Sequence, residues 1–376
     1  MKLVLFANTD WYLYNFRRSL ALELCARGHN VLLISPPGPY GPQLQALGIP
    51  WQPIQMDRRS LNPFREATLL YRLVAILRDF SPDLVHGFTI KCAIYGAFAA
   101  QLAKVPFRVS AIAGMGYVFT SNELKARLLR PCVRMLLRLA LGGRGSRVIV
   151  QNPDDKLALE RYGLVDPEQV RSIPGSGVDM SRFKKASGAA GRSEKVVLLA
   201  SRLLWDKGVA EYVAAAKRLR GGGAPLRFLL AGAPDPGNPA SVPECAIREW
   251  VSQGLIEWLG HVDAMPDLLS QVDIVVLPSY REGLPKSLIE AAACGLPLVT
   301  TDVPGCREVV RNEVNGLLVP PQDSDALAGA IARLSEDAEL AQRLGDAARV
   351  TALSTFDEKI IIGSTIAVYR ELLGLP

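Results

Sequence analysis

The stretch "DIVVLPSYREGLPKSLIEAAACGLPLVTTD", Asp273–Asp302, decides how the chain folds. "DIVVLPS" is a short, nearly continuous apolar run of the kind that fills a strand buried on both faces. "KSLIEAAA" then spaces its apolar residues at helical intervals, and Pro285 reads as the first helical residue. Gly295 and Pro297 end that pattern before a second apolar run, "PLVTTD". Strand, helix and strand in this order form a parallel unit.

The same alternation recurs on both sides. Strands are expected at "KLVLFA", "NVLLIS", "DLVHGF", "FRVSAI" and "SRVIVQN" in the first half. "KVVLLAS", "LRFLLAG", "IEWLG" and "NGLLVPP" join the two central runs in the second. At 376 residues the chain is too long for one ordinary core. A Gly-, Ser- and charge-rich segment from Gly175 to Glu194 reads as a linker between two doubly wound α/β domains. The final pattern, "TFDEKIIIGSTIAVYRELLGL", is an amphipathic helix with no strand after it. The expected division is therefore 1–180, 190–352 and a closing helix over 353–376.

Charge is unevenly divided. Residues 1–185 carry 25 Lys+Arg against 13 Asp+Glu, and the remainder 18 against 24, giving the net +6. A basic first half implies anionic company: a membrane surface, a nucleic acid or a phosphorylated substrate. Too few aromatics interleave with the basic residues to favour nucleic acid. No apolar run is long enough to span a bilayer, and "MKLVLFANTDW" lacks a signal-peptide pattern. The six cysteines are scattered without paired spacing, which argues for reduced thiols in the cytoplasm rather than disulfides or a zinc site.

Ligands of doubly wound sheets bind beyond the carboxyl ends of the strands, so two such domains facing each other would form one cleft. After "KVVLLAS" come Arg202 and Lys207, two cations at a strand-to-helix turn, suited to a diphosphate whose charge grows as it leaves. A solvated turn is the other reading. After "DIVVLPS" come Glu282 and Gly283 at a helix start, where a phosphate would be favoured, and Glu290 after seven intervening residues. Glu282 is readable as a helix-start acid, and Glu290 as the partner of Lys286 one turn earlier, worth a few tenths of a kcal/mol. Neither explains why charge recurs at several strand ends.

"SRLLWDKG", "LLAG", "WLGHV", the stretch from Asp273 onward and "NGLLVPP" follow, in order, the pattern of glycosyltransferase family 4. The resemblance runs from about Val196 to the C-terminus, and the acid pair is its most specific motif. It implies a GT-B fold, whose closing helix returns to the first domain, and a retaining transfer from a UDP-sugar without a metal. Arg202 and Lys207 would hold the donor diphosphate, Glu282 with the backbone at Gly283 and Leu284 would meet the sugar, and Glu290 the ribose. Catalysis would rest on Glu282, Arg202 and Lys207.

In the first half, "ANTDWYLYNFRRSL" stands where many family members carry a Gly-Gly loop. "SAIAGMGYVF" has Ala113 where many carry a histidine, and His86 does not take over that role. "YLYNFRRSL" and "RRSLNPF" resemble bacterial enzymes that add a hexosamine to an undecaprenyl-diphosphate-linked sugar. That resemblance implies an acceptor site at Arg17, Arg18 and Gly114, the two arginines opening the first helix. Over 123–147, Arg127, Arg130, Arg134 and Arg138 recur among Leu128, Leu129, Val133, Leu136 and Leu137, a cationic stripe beside an apolar one. Pro131 would kink this helix or start it. An anionic membrane surface is the expected partner, with the protein on the inner face of the cell membrane; a packed helix with a wet arginine face is the other reading.

A UDP-sugar 2-epimerase of the same fold, and a transferase with a soluble acceptor, remain open; a non-catalytic binding module would not require both cations and both acids. No G-x-G-x-x-G follows either leading strand, which disfavours a dinucleotide-dependent oxidoreductase.

Overall fold

A computed structural model of the chain describes residues 1–57, 60, 62–112, 124–185 and 194–374. It divides into one unit of Met1–Gly177 with Lys359–Pro376, and a second of Val178–Glu358. Of the expected linker, 178–185 belong to the second unit and 186–193 lie outside the described residues.

The first unit is built on β1 (Lys2–Phe6), β2 (Asn30–Ser35), β3 (Trp51–Pro53), β4 (Leu84–Phe88), β5 (Phe107–Ile112), β6 (Ser146–Val150) and β7 (Val170–Ser172). They form one sheet ordered β3-β2-β1-β4-β5-β6-β7, and every pairing is parallel. The second unit contains β8 (Lys195–Ala200), β9 (Leu226–Ala231), β10 (Glu257–Gly260), β11 (Ile274–Leu277), β12 (Leu298–Thr301) and β13 (Leu317–Val319). These are parallel in the order β10-β9-β8-β11-β12-β13. All eleven expected strands are present. The edge strands β3 and β7 escaped the sequence reading, because "WQP" and "VRS" are short and broken by polar residues, unlike the equally short but apolar "LLV" of β13.

The helices that bear on function are α1 (Arg18–Ala26), α2 (Pro63–Phe80), α3 (Ile90–Leu102), α4 (Leu124–Leu141), α5 (Val209–Gly221), α6 (Lys286–Ala293) and α7 (Glu358–Leu373). Pro131 lies inside α4 and does not start it. Pro285 caps α6 from outside, with φ −76° and ψ 103°, so the helix opens one residue later than expected.

Both faces of each sheet are covered, which is why the strands read as continuous apolar runs. In β8, Val196 and Leu198 enter one core and Val197 and Leu199 the other. In β1, Leu3 and Leu5 pack with Ile361, Ile366, Tyr369 and Leu372 of α7, while Val4 and Phe6 face α2 and α3. The closing helix thus completes the core of the first unit. Each such buried side chain contributes about 1.5–3 kcal/mol as an upper estimate. Glu371 of α7 also binds Arg147 at 2.7 Å and Arg171 at 2.5 Å.

Strand order reverses between β1 and β4 in one sheet and between β8 and β11 in the other. Crevices outside the carboxyl ends of strands at such points are where doubly wound sheets bind ligands.

Candidate functional site

At the switch point of the second unit, the turn after β8 is pressed onto the end of β11. Gly208 has φ 72°, and a Cβ there would collide with the Pro278 carbonyl oxygen. The Tyr280 amide donates to the Asp206 carbonyl at 2.9 Å. Lys207 is thereby carried to Glu282, and its Nζ donates to Glu282 Oε1 at 2.6 Å. Ser279 Oγ donates to the same oxygen at 2.7 Å. Lys207 and Glu282 side chains are each only 13% exposed, so the pair is poorly screened. Glu282 is no ordinary helix-start acid: its carboxylate faces β8, not the helix.

The Glu282 turn is braced from β12 as well. The Glu282 amide donates to Pro304 O at 3.1 Å. Gly305, at φ 82°, leaves no room for a Cβ, which would lie 2.5 Å from the Glu282 carbonyl oxygen and 2.8 Å from that of Gly283. Gly208 and Gly305 were not singled out from sequence, although a glycine beside each charged turn was the available signal. Leu284 packs against the core below. Two hydrogens of the Lys207 ammonium have no partner among the described residues.

Arg202 stands apart from this pair. It is 64% exposed and reaches Asp235 Oδ2 at 3.3 Å, an acid on the turn after β9 that sequence reading missed. Glu290, on α6, is 15% exposed and lies 3.8 Å from Lys286 Nζ, as the helical spacing suggested. Burial pushes its carboxyl above the usual range, opposed by the charges of Lys286 and Arg182. Tyr280, also unforeseen, donates to Glu211 Oε1 of α5 at 2.7 Å, and burial together with that carboxylate pushes its phenol up to about 12.

The first unit presents a second cluster at the carboxyl ends of β1 and β4. The chain after β1 is already helical at Asp10 and widens into a π-turn over Leu13–Arg17. The helical segment therefore opens at Asp10, before Arg17 and Arg18; Arg17 ends the π-turn and Arg18 begins α1. Such turns are rare and frequent at functional sites. Arg17 is turned inward and 5% exposed, with its guanidinium carbon 4.3 Å from the Phe88 ring centroid and 5.8 Å from that of Tyr12. Arg18 stacks over Tyr14 at 4.6 Å. His86 is buried, its Nδ1 2.6 Å from the Tyr369 hydroxyl. Burial, then the charge of Arg17, hold its imidazole well below the usual histidine range. Gly114 and Ala113 lie outside the described residues.

Helix α4 lays Arg130, Arg134 and Arg138 along a groove floored by Met135, Leu139 and Tyr162. Met135 and Leu139 are 58% and 57% exposed, while Leu137 and Leu141 are buried beneath. The side chains of Arg127, Leu128 and Leu129 lie outside the described residues. Among the described residues, no helix is long and apolar enough to cross a membrane. No group of three or more His, Cys, Asp or Glu side chains among them could hold a metal. All six cysteines are free.

Two doubly wound parallel units, each with charged groups at its switch point, define a two-domain α/β enzyme. The family models are more specific: a glycosyl transferase 4-like domain matches residues 15–175, and glycosyl transferases group 1 matches 180–351. The chain belongs to glycosyltransferase family 4, and is a hexosyltransferase of GT-B fold. It is 29% identical over 372 residues, 96% of either chain, to the N,N'-diacetylbacillosaminyl-diphospho-undecaprenol alpha-1,3-N-acetylgalactosaminyltransferase of Campylobacter jejuni subsp. jejuni serotype O:2. It is 27% identical over 290 residues to the UDP-Gal:alpha-D-GlcNAc-diphosphoundecaprenol alpha-1,3-galactosyltransferase of Escherichia coli, covering 74% of this chain and 73% of that one. HepE of Anabaena, crystallised with UDP-glucose, superposes with a TM-score of 0.78 at 22% identity, covering 97% and 99% of the two chains.

Proposed function

We propose that this glycosyltransferase moves an N-acetylhexosamine from a UDP-sugar to an undecaprenyl-diphosphate-linked sugar, with retention and without a metal. The observation that carries the reading is the Lys207–Glu282 pair at the β8–β11 switch point, held by Ser279 and braced by Gly208 and Gly305. Lys207 has ammonium hydrogens to give to diphosphate oxygens, and exposed Arg202 can swing from Asp235 to join it. Glu282 and the backbone of Gly283 and Leu284 receive the sugar hydroxyls. Glu290 receives the ribose hydroxyls. The bond from sugar C1 to the UDP oxygen breaks, and the acceptor hydroxyl bonds to C1 on the same face. Its proton passes to the departing diphosphate, whose growing charge Lys207 and Arg202 stabilise in place of a metal.

The nature of the donor and acceptor is supported by the relatives. The Escherichia coli enzyme is named for UDP-Gal, the Campylobacter enzyme for N-acetylgalactosamine, and both for undecaprenol-linked acceptors. Such an acceptor requires a membrane surface. The arginine-rimmed apolar groove of α4 supports peripheral binding to an anionic leaflet. Donor screening by mass spectrometry against synthetic undecaprenyl-diphosphate sugars tests the whole reading. Conversion of the UDP-sugar to its epimer, with no acceptor-dependent release of UDP, would instead favour the epimerase.

A further inference from the structure

Among the described residues, Arg17 is a buried cation without a counter-ion. Its side-chain contacts among the described residues are the two aromatic faces and a long 3.3 Å bond from Nη2 to the Tyr12 hydroxyl. No acid pairs with it among the described residues, and its Nε is buried without a hydrogen-bond partner. Aromatic faces offset part of the charge, but a buried guanidinium ordinarily has a carboxylate.

His86 adds a second unsatisfied group. Its ring lies 4.0 Å from that of Phe88, the same ring that carries Arg17. Its Nε2 is also buried without a partner. Tyr369 settles which nitrogen holds the proton. If the phenol donates to Nδ1, only one N–H is left over. If Nδ1–H donates instead, the phenol hydrogen and the Nε2 lone pair are both stranded. The first arrangement is cheaper, so Nε2 carries a hydrogen. Burial raises the Tyr369 pKa and keeps the phenol protonated. Two buried N–H donors and one fixed positive charge therefore lie beside Phe88 of β4 with no acceptor among the described residues. The next residue, Thr89, has φ 73° and a buried Oγ1 without a partner.

We propose that Arg17 Nε and His86 Nε2 form an anion site for the acceptor's diphosphate, with Tyr369 of the closing helix as the residue that positions His86. This rests on the proposed function and extends it from Arg17 to His86 and Tyr369. Half-buried Tyr12, with its long bond to Arg17, is the side chain an entering oxygen displaces. The second unit has its own cations for the donor, which leaves this site to the acceptor.

The chain has three histidines, so ¹⁵N-histidine NMR of the full-length protein isolates His86 from His29 and His261. With UDP saturating, inorganic pyrophosphate and a short-chain polyprenyl-diphosphate sugar are titrated in turn. Both should shift the His86 Nε2–H signal and leave His29 and His261 in place. Arg17→Met should weaken pyrophosphate about 10–100-fold, and Tyr369→Phe about 2–10-fold with mixing of His86 tautomers. Arg17→Lys, which keeps the charge, should fall between. In transfer assays Tyr369→Phe should raise KM for acceptor and leave KM for donor alone. A His86 signal that responds to neither probe in a folded protein overturns the proposal, as does a response to UDP alone. If acceptor-dependent UDP release by the parent is intact but Arg17→Met keeps the parental acceptor KM, this inference fails and the transferase reading stands.

Discussion

Lys207→Ala separates catalysis from folding. The substitution removes the 2.6 Å contact to Glu282 and leaves that carboxylate with Ser279 as its remaining side-chain donor. Breaking a fully buried ion pair costs about 3–5 kcal/mol. Here each side chain keeps 13% exposure and Ser279 stays, so about 1.5–3 kcal/mol is expected, the range for a hydrogen bond to a charged group. For a unit of this size that lowers Tm by roughly 2–4 °C per kcal/mol. The chemical step should suffer more. Losing one charged contact to the departing diphosphate costs about 2.7–4 kcal/mol, or 10²–10³ in kcat. Acceptor-dependent UDP release, measured beside thermal melting, reads both. A variant that melts several degrees lower but turns over within threefold of the parent would show that the pair is only a structural clamp. Stabilities of Glu282→Gln and of the Lys207→Ala/Glu282→Gln double variant complete the cycle. A coupling of about 0.5–3 kcal/mol is expected, and strict additivity would mean that the pair contributes nothing as a pair.

Glu290→Gln should raise the donor KM by about 10–150-fold with little change in kcat, since loss of a hydrogen bond to a charged group is worth about 1.5–3 kcal/mol. Its stability effect has a definite sign: burial raises the folded carboxyl above its ordinary value, so at neutral pH the group destabilises the fold. Melting of the Gln variant should therefore be higher than the parent's at pH 7, and the gain should fade as pH drops through the folded value towards the unfolded one; a gain that persists at low pH refutes this. EDTA should leave transfer unaffected, and a loss restored by magnesium or manganese would require another account of the diphosphate. Changing Arg127, Arg130, Arg134 and Arg138 to Gln removes about 1 kcal/mol of leaflet attraction per charge. Vesicle sedimentation should fall, while turnover on a short soluble acceptor should not; sedimentation equal to the parent's would make α4 a packed helix with a wet face.

Much was legible in the chain itself. Runs such as Lys195–Ala200, apolar on both faces and separated by helical patterns, permit only parallel strands covered on two sides. Strand ends are local features, so the chain alone places Arg202, Lys207 and Glu282 just beyond strands and Glu290 on the helix that follows. Which of them meet could not be read. Lys207 reaches Glu282 across 75 positions because β8 lies beside β11, and strand order comes from long-range closure and packing, not from local pattern. The same order leaves Arg202 to Asp235. Arg17 and Arg18 look alike as basic residues on a helix, yet a single π-turn sends one under the aromatic rings and leaves the other half-exposed. His86 acquires its partner 283 positions away, from a closing helix that the chain marks as amphipathic without naming the surface it covers. Residue type and spacing determine what each segment can bury; only the assembled fold decides which charges are left without a partner.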